Sequence, residues 1–207
     1  MTTTSIPRHP HRSTRLHAAL LALAAAALPA PAAAADGAST LLTSTYGISG
    51  SLGLVLPGTI SVSAGGTAEF DTETGLLLQG AADYYVVPKL AVGLYLAYQR
   101  VGVKNTSETA SVVGVGPTIK ARFGVGEKLA LRPSLSIGYQ HGSWTGTSPT
   151  TTGLGIGLQL EGAFPLTTGV NGLVQLGFST QPTGGNADID LTWGPIFYLA
   201  VGAEFGQ

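Results

Sequence analysis

The chain has 207 residues, a formal net charge of −1 and no cysteine, a length that suits one domain. Charged residues make up 10% of it, against about 25% in an average soluble domain. The near-zero charge excludes a basic nucleic-acid-binding surface, and the missing cysteine excludes disulfide bonds. Beyond the N-terminal region no apolar run approaches the roughly 18 residues of a membrane helix. A closed β-barrel, which pairs every backbone group internally, is then the remaining way for such a chain to cross a membrane.

The first segment in chain order is typical of an export signal. Arg8, Arg12 and Arg15 precede an apolar stretch at 16–28, and three alanines at 33–35 supply an A-x-A cleavage site. We predict a signal peptide at 1–35 and a single barrel domain at 36–207. The alternative for the first segment is a buried alanine-rich helix.

Eight alternating segments follow, and we predict that each is a β-strand. They are 46–56, 76–87, 90–100, 111–123, 129–140, 153–164, 170–179 and 189–205. The connections after the second, fourth and sixth strands are short, whereas the others are long; the first long connection spans 57–75. Short periplasmic turns that alternate with long outer loops are typical of outer-membrane barrels. The predicted fold is all-β: an eight-stranded antiparallel up-and-down transmembrane β-barrel.

One face of each predicted strand is almost purely apolar. In the third strand Leu90, Val92, Leu94 and Leu96 point one way, because successive side chains alternate between faces. We find no lysine or arginine on these apolar faces at mid-strand, where one would cost about 2–4 kcal/mol in a bilayer. A soluble barrel would instead carry about 25–35% charged residues on its outward surface. The pattern therefore indicates a barrel surrounded by lipid.

Aromatic residues of the apolar face gather at the two ends of the strands, as the girdles of transmembrane barrels do. The predicted periplasmic girdle is Tyr46, Tyr84, Phe123, Phe164 and Phe205, and the predicted outer girdle is Tyr98, Tyr139, Phe178 and Trp193.

The opposite face holds glycine, serine, glutamine and six charged residues, which we expect to form an ion-pair network that plugs the lumen. The six are Asp83, Lys120, Arg122, Arg132, Glu161 and Glu204. Some of them could instead lie hydrated near the periplasmic mouth. The inward glycines leave space, so water-filled gaps or a narrow conductive path stay open as alternatives.

Two further sets of polar residues lie near the outer ends of the strands. His141 and Ser143 share a face and resemble the outward-facing H-x-S pair of the lipid A deacylases, although Trp144 stands where that family has Asn and Glu161 is on the opposite face. The resemblance implies a lipid-modifying enzyme; the alternative is the polar start of a loop. Arg100 and Lys104 are candidate contacts for lipopolysaccharide phosphates, with plain hydration as the alternative. The sequence shows no motif for a cofactor or metal site.

The stretch 200–205 resembles the C-terminal assembly signal of outer-membrane barrels, which implies help from the barrel assembly machinery. The number of strands, the alternation of apolar and polar residues, and the alternation of short and long connections make the chain similar to a known group. This group is the small barrels of the OmpA transmembrane-domain, OmpX and opacity-protein type. That resemblance implies a monomeric, non-enzymatic protein in contact with outer-membrane lipid and lipopolysaccharide. Its expected roles are envelope structure, surface-loop adhesion or recognition. The alternatives are a small passive channel, the lipid-modifying enzyme, and a secreted soluble barrel with an apolar ligand.

Overall fold

A computed structural model describes residues 44–145, 150–180, 183–185 and 190–206. The predicted signal segment and its cleavage site lie outside the described residues. The strands are β1 Tyr46–Val55, β2 Thr59–Ser63, β3 Thr67–Asp71, β4 Gly75–Val87, β5 Leu90–Gly102, β6 Thr109–Ala121, β7 Phe123–Val125, β8 Leu129–Trp144, β9 Thr150–Thr167, β10 Val170–Ser179, β11 Thr183–Gly185, β12 Asp190–Trp193 and β13 Ile196–Gly206.

Nine of these strands form one antiparallel sheet in the order β6-β5-β4-β1-β13-β10-β9-β8-β7, and β6 also pairs with β8, which closes the sheet. The strand β7 continues β6 after an interruption at Arg122, because both keep one register against β8: Lys120 pairs with Ser134 and Phe123 with Leu131. The closed sheet is therefore an eight-stranded barrel, and the predicted fold class is confirmed.

The strand registers fix how the barrel is staggered. A row of paired residues that starts at Tyr46 climbs around the barrel to Phe197, whose carbonyl accepts a hydrogen bond from the amide of Leu56, ten positions beyond its starting point. The intermediate residues of the row are Tyr84, Val92, Ile119, Leu135, Leu158 and Phe178. Tilted strands and a fixed stagger are what closure of a sheet requires. The row rises toward the outer end in the order β1, β4, β5, β6, β8, β9, β10, β13.

The alternation of each strand sorts its residues between lipid and lumen. Large apolar side chains on the outward face are exposed, as at Leu94 (63%) and Leu154 (75%). Many inward residues are small or polar, and the charged ones among them are buried, whereas inward residues near the outer mouth, such as Leu77 and Val101, are apolar. Among the described residues, no helix has the length and apolar character to cross a membrane.

A second, four-stranded sheet has the order β11-β12-β2-β3. It combines two hairpins from two outer loops, the one after β1 and the one after β10, and the two are joined by pairing of β12 with β2. The turn between β2 and β3 contains Gly65 with a φ of 70°, a conformation that suits glycine because it has no Cβ. We call this sheet the cap.

The cap corrects the predicted last strand, 189–205. That segment is two strands, β12 and β13, separated by Gly194 and Pro195. Proline has no amide proton to donate to a ladder, so the chain leaves the barrel there, and β12 pairs with the first outer loop instead.

Candidate functional site: the lumen and its cap

Five of the six predicted lumen charges meet in one chain of ion pairs. Lys120 Nζ lies 2.6 Å from Asp83 Oδ2 and 3.6 Å from Glu161 Oε1. Arg132 Nη1 lies 3.2 Å from Glu161 Oε1 and 2.8 Å from Glu204 Oε2. All five side chains are at most 4% exposed. Buried charges are tolerated when they are paired and hydrogen-bonded, and we call this group the ionic layer.

Two amides of β10 complete the ionic layer. Asn171 Nδ2 donates to Glu204 Oε1 at 3.1 Å, and Gln175 Nε2 donates to Glu161 Oε2 at 2.8 Å. Each amide stands beside its acceptor in the register of the sheet. Neither residue is among the predicted lumen residues, although their inward parity was a usable signal.

Arg122, the sixth predicted charge, makes a different set of contacts. Its guanidinium donates to the carbonyl of Pro88 at 2.7 Å and to the hydroxyl of Ser44 at 2.9 Å, and it lies 3.6 Å from the centroid of the Tyr85 ring. Arg122 thus ties Ser44, two residues before β1, to the turn between β4 and β5. A cation over an aromatic ring adds to this attachment.

A small polar cavity lies next to the ionic layer, lined by serines, glutamines and tyrosines. Its volume is about 50 Å³, whereas one water needs about 10–15 Å³. The lining residues Gln99, Gln140 and Gln175 each have a buried side-chain oxygen with no hydrogen-bond partner in the described part of the protein. The cavity therefore suits a few ordered waters.

Beyond the cavity the lumen is filled by apolar side chains that continue into the cap. The buried cluster consists of Val55, Ile60, Leu77, Val101, Val103, Ala110, Val112, Trp144, Leu191, Trp193, Ile196, Tyr198 and Ala200. Phe70 of the cap packs edge-on against Trp144, with ring centroids 5.2 Å apart. Burial of this apolar surface holds the cap on the barrel mouth.

Trp193 is a correction to the predicted outer girdle. Its side chain is only 6% exposed and belongs to the buried cluster under the cap, because the break at Gly194 and Pro195 takes it out of the barrel strand. The other predicted girdle residues lie on the outward face. The exposed ones are Tyr46, Tyr84, Phe123, Tyr139 and Phe205, and the half-buried ones are Tyr98, Phe164 and Phe178. The ring of Phe178 packs against the ring of Phe197, with centroids 5.1 Å apart. Phe197 is not among the predicted girdle residues.

The remaining candidate residues lie on the outer surface. His141 is exposed and Ser143 half-buried on the outward face of β8, and the hydroxyl of Ser143 is hydrogen-bonded to that of Ser111 at 3.0 Å. Arg100 is exposed, and Lys104 forms an exposed salt bridge with Asp71 at 3.2 Å. In the described ranges, no cluster of three or more His, Cys, Asp or Glu side chains could hold a metal ion.

Residues 18–205 match the model of a family described as the outer membrane protein beta-barrel domain. The chain belongs to this family. Its place is therefore the bacterial outer membrane, and the resemblance to small outer-membrane barrels is confirmed. None of the curated protein sequences matches the chain.

Several solved outer-membrane barrels are similar to this structure. Neisserial surface protein A is 14% identical with a TM-score of 0.56, over 79% of this chain and 98% of that chain. The outer membrane protease OmpT of Escherichia coli is 7% identical with a TM-score of 0.50, over 78% and 96%. The attachment invasion locus protein Ail of Yersinia pestis is 14% identical with a TM-score of 0.43, over 77% and 98%. At such identities the likeness concerns the fold alone, and one fold hosts many functions.

Proposed function

We propose that this barrel is a non-enzymatic envelope protein that does not conduct and that presents a folded cap for recognition at the cell surface. The observation that carries the proposal is the filled lumen: the ionic layer, the small cavity and the apolar cluster follow one another along the barrel. A passive channel needs a continuous aqueous path, and the ionic layer and the apolar cluster both occupy the lumen where that path would run.

The cap supports a role in recognition. Loops on a rigid scaffold commonly carry binding functions, and here two outer loops are joined into one sheet, in which Ile60 stands opposite Trp193 and Val62 opposite Leu191. A pre-ordered surface loses less conformational entropy on binding than mobile loops do. The strand β3 of the cap has mostly exposed side chains and so offers them to a partner.

Conductance in a planar lipid bilayer tests the proposal. The refolded wild-type protein should show no steady conductance. The double variant Arg132→Ser with Trp193→Ala removes one large side chain from the ionic layer and one from the apolar cluster. It should conduct. Gly50→Ala is the matched control, because a Cβ there contacts nothing within 4 Å, and it should behave as wild type.

A steady, reproducible conductance from the wild-type protein would contradict the proposal whatever the variants do. Heat-dependent gel mobility checks that each protein is folded before recording. Mass spectrometry of lipid A from cells with and without the protein tests the non-enzymatic part, because loss of an acyl chain in its presence would refute that part.

A further inference from the structure

A row of polar residues crosses four neighbouring strands on the lipid-facing side of the barrel. Arg100 of β5 pairs with Ser111 of β6, Ser111 with Ser143 of β8, and Ser143 with Thr150 of β9. One step below, His141 pairs with Thr152. All six residues are exposed or half-buried. We call this group, Arg100, Ser111, His141, Ser143, Thr150 and Thr152, the outer polar patch.

The outer polar patch lies at the level where the membrane ends. Tyr98, an outer-girdle residue, is two positions before Arg100 on the same face of β5, and Tyr139 is two positions before His141 on β8. The row one step below Tyr98 holds Leu96, Val115 and Leu154 beside Tyr139 and is otherwise apolar. Because the rows rise from β5 to β9, the patch climbs from the girdle into the headgroup region.

The charge of Arg100 is available to a ligand. Among the described residues, no carboxylate lies within salt-bridge distance of it, and its one hydrogen bond, to Thr109 Oγ1, is 3.5 Å long. Lys104 differs, because its ammonium is already paired with Asp71. A guanidinium binds phosphate through two parallel hydrogen bonds, which leaves Arg100 suited to an anionic oxygen cluster.

The neighbouring groups add hydrogen-bonding capacity beside that charge. The hydroxyls of Ser111 and Ser143 are bonded to each other at 3.0 Å; each hydroxyl can make further bonds, since it has one donor and two acceptor sites. His141 contributes an exposed ring nitrogen one row below. Hydroxyl, imidazole and guanidinium groups together fit a phosphate attached to a sugar.

We propose that the outer polar patch binds the phosphorylated sugar headgroup of an outer-leaflet glycolipid from the side of the barrel. The ligand chemistry is a phosphate monoester next to sugar hydroxyls, presented at the height of the headgroups. Of the two cations predicted for this contact, Arg100 makes it and Lys104 does not. This inference concerns the lateral surface and is independent of whether the lumen conducts.

Native mass spectrometry of the intact protein in a non-ionic detergent, titrated with lipid A, tests the proposal. Arg100→Gln should weaken lipid A binding about tenfold, since it removes a charge-assisted bidentate contact. Lys104→Gln, which removes the same charge four residues away in the turn after β5, should change binding less than about twofold. The double variant Ser111→Ala with Ser143→Ala should also weaken it, and Arg100→Lys should retain part of the affinity.

Equal losses in the Arg100→Gln and Lys104→Gln variants would show general charge attraction and overturn the proposal. So would equally tight binding of phosphatidylcholine, which has no exposed phosphate monoester. Displacement of lipid A by an equal concentration of inorganic phosphate would show that the patch binds free phosphate. It would overturn the proposal that the ligand is a lipid. Each variant is first shown to be folded by its unheated gel mobility.

Discussion

Loss of the arginine at the centre of the ionic layer should destabilise the barrel strongly. Arg132 is wholly buried, and its Nη1 lies 2.8 Å from both carboxylate oxygens of Glu204 and 3.2 Å from Glu161. The contacting group has three carboxylates and two cations, with Asp83 and Lys120 as the other pair. Its formal charge is −1, and Arg132→Met makes it −2. Removing one partner of a buried pair costs about 3–5 kcal/mol.

The matched control removes the charges together. In the triple variant Arg132→Met, Glu161→Gln, Glu204→Gln the layer keeps only the Lys120–Asp83 pair, so the carboxylates no longer repel each other. Replacement of a whole buried ion cluster is often neutral, and we expect the triple variant to lie within about 2 kcal/mol of wild type. The large loss in the single variant would then come from stranded charges rather than from lost packing.

Urea unfolding in lipid vesicles measures both variants. The two tryptophans of the chain are both buried in the upper lumen, so their fluorescence reports opening of that end, and unheated gel mobility reports the closed barrel. The free energy of unfolding is taken from both signals. If Arg132→Met lowers the free energy of unfolding by less than about 1 kcal/mol, water solvates these charges and the ionic layer is not a buried, fully paired group.

Three more variants test other parts of the structure. Trp193→Ala should cost about 3–5 kcal/mol in the cap and make the outer loops sensitive to proteinase K while the barrel stays folded; unchanged resistance would refute the role of Trp193. Gly177→Ala should cost about 1–3 kcal/mol, because a Cβ there meets the Tyr198 ring; Gly50→Ala, with open space around it, should leave the urea midpoint unchanged, and equal effects would refute the packing argument. Lys104→Gln should change stability by less than about 1 kcal/mol, since its ion pair is exposed; a larger shift in melting temperature would contradict this.

The alternation of the sequence was enough to predict the barrel and the inward side of its charges. A period of two residues assigns every strand residue to the lipid or the lumen face. The inward direction of Asp83, Lys120 and Glu161 follows from this alternation alone. The ion-pair partners cannot be predicted in this way. The alternation gives the face of a residue but not its level along the barrel axis, which depends on the stagger of all eight strands. Arg122 illustrates this: it has the predicted parity but lies at the mouth beside Tyr85 and Ser44.

The cap was beyond the reach of the same pattern. Its strand β2 does alternate, with Ile60 and Val62 between hydroxyl residues, and a glycine turn follows. What the sequence does not show is that this hairpin pairs with β12, because the two segments are far apart in the chain and belong to different loops. Only their shared burial over the barrel mouth brings Ile60 and Trp193 together.

Some inward glycines stand directly beside large inward side chains. From the sequence, water-filled gaps or a narrow conductive path stayed open as alternatives to a plugged lumen. In the structure a Cβ on Gly138 would meet the hydroxyl of Tyr95, and one on Gly177 would meet the ring of Tyr198. Each of these two glycines therefore leaves room for an inward tyrosine of a facing or neighbouring strand. Since protein interiors fill to the density of organic crystals, a glycine beside a large inward side chain predicts close packing rather than a gap.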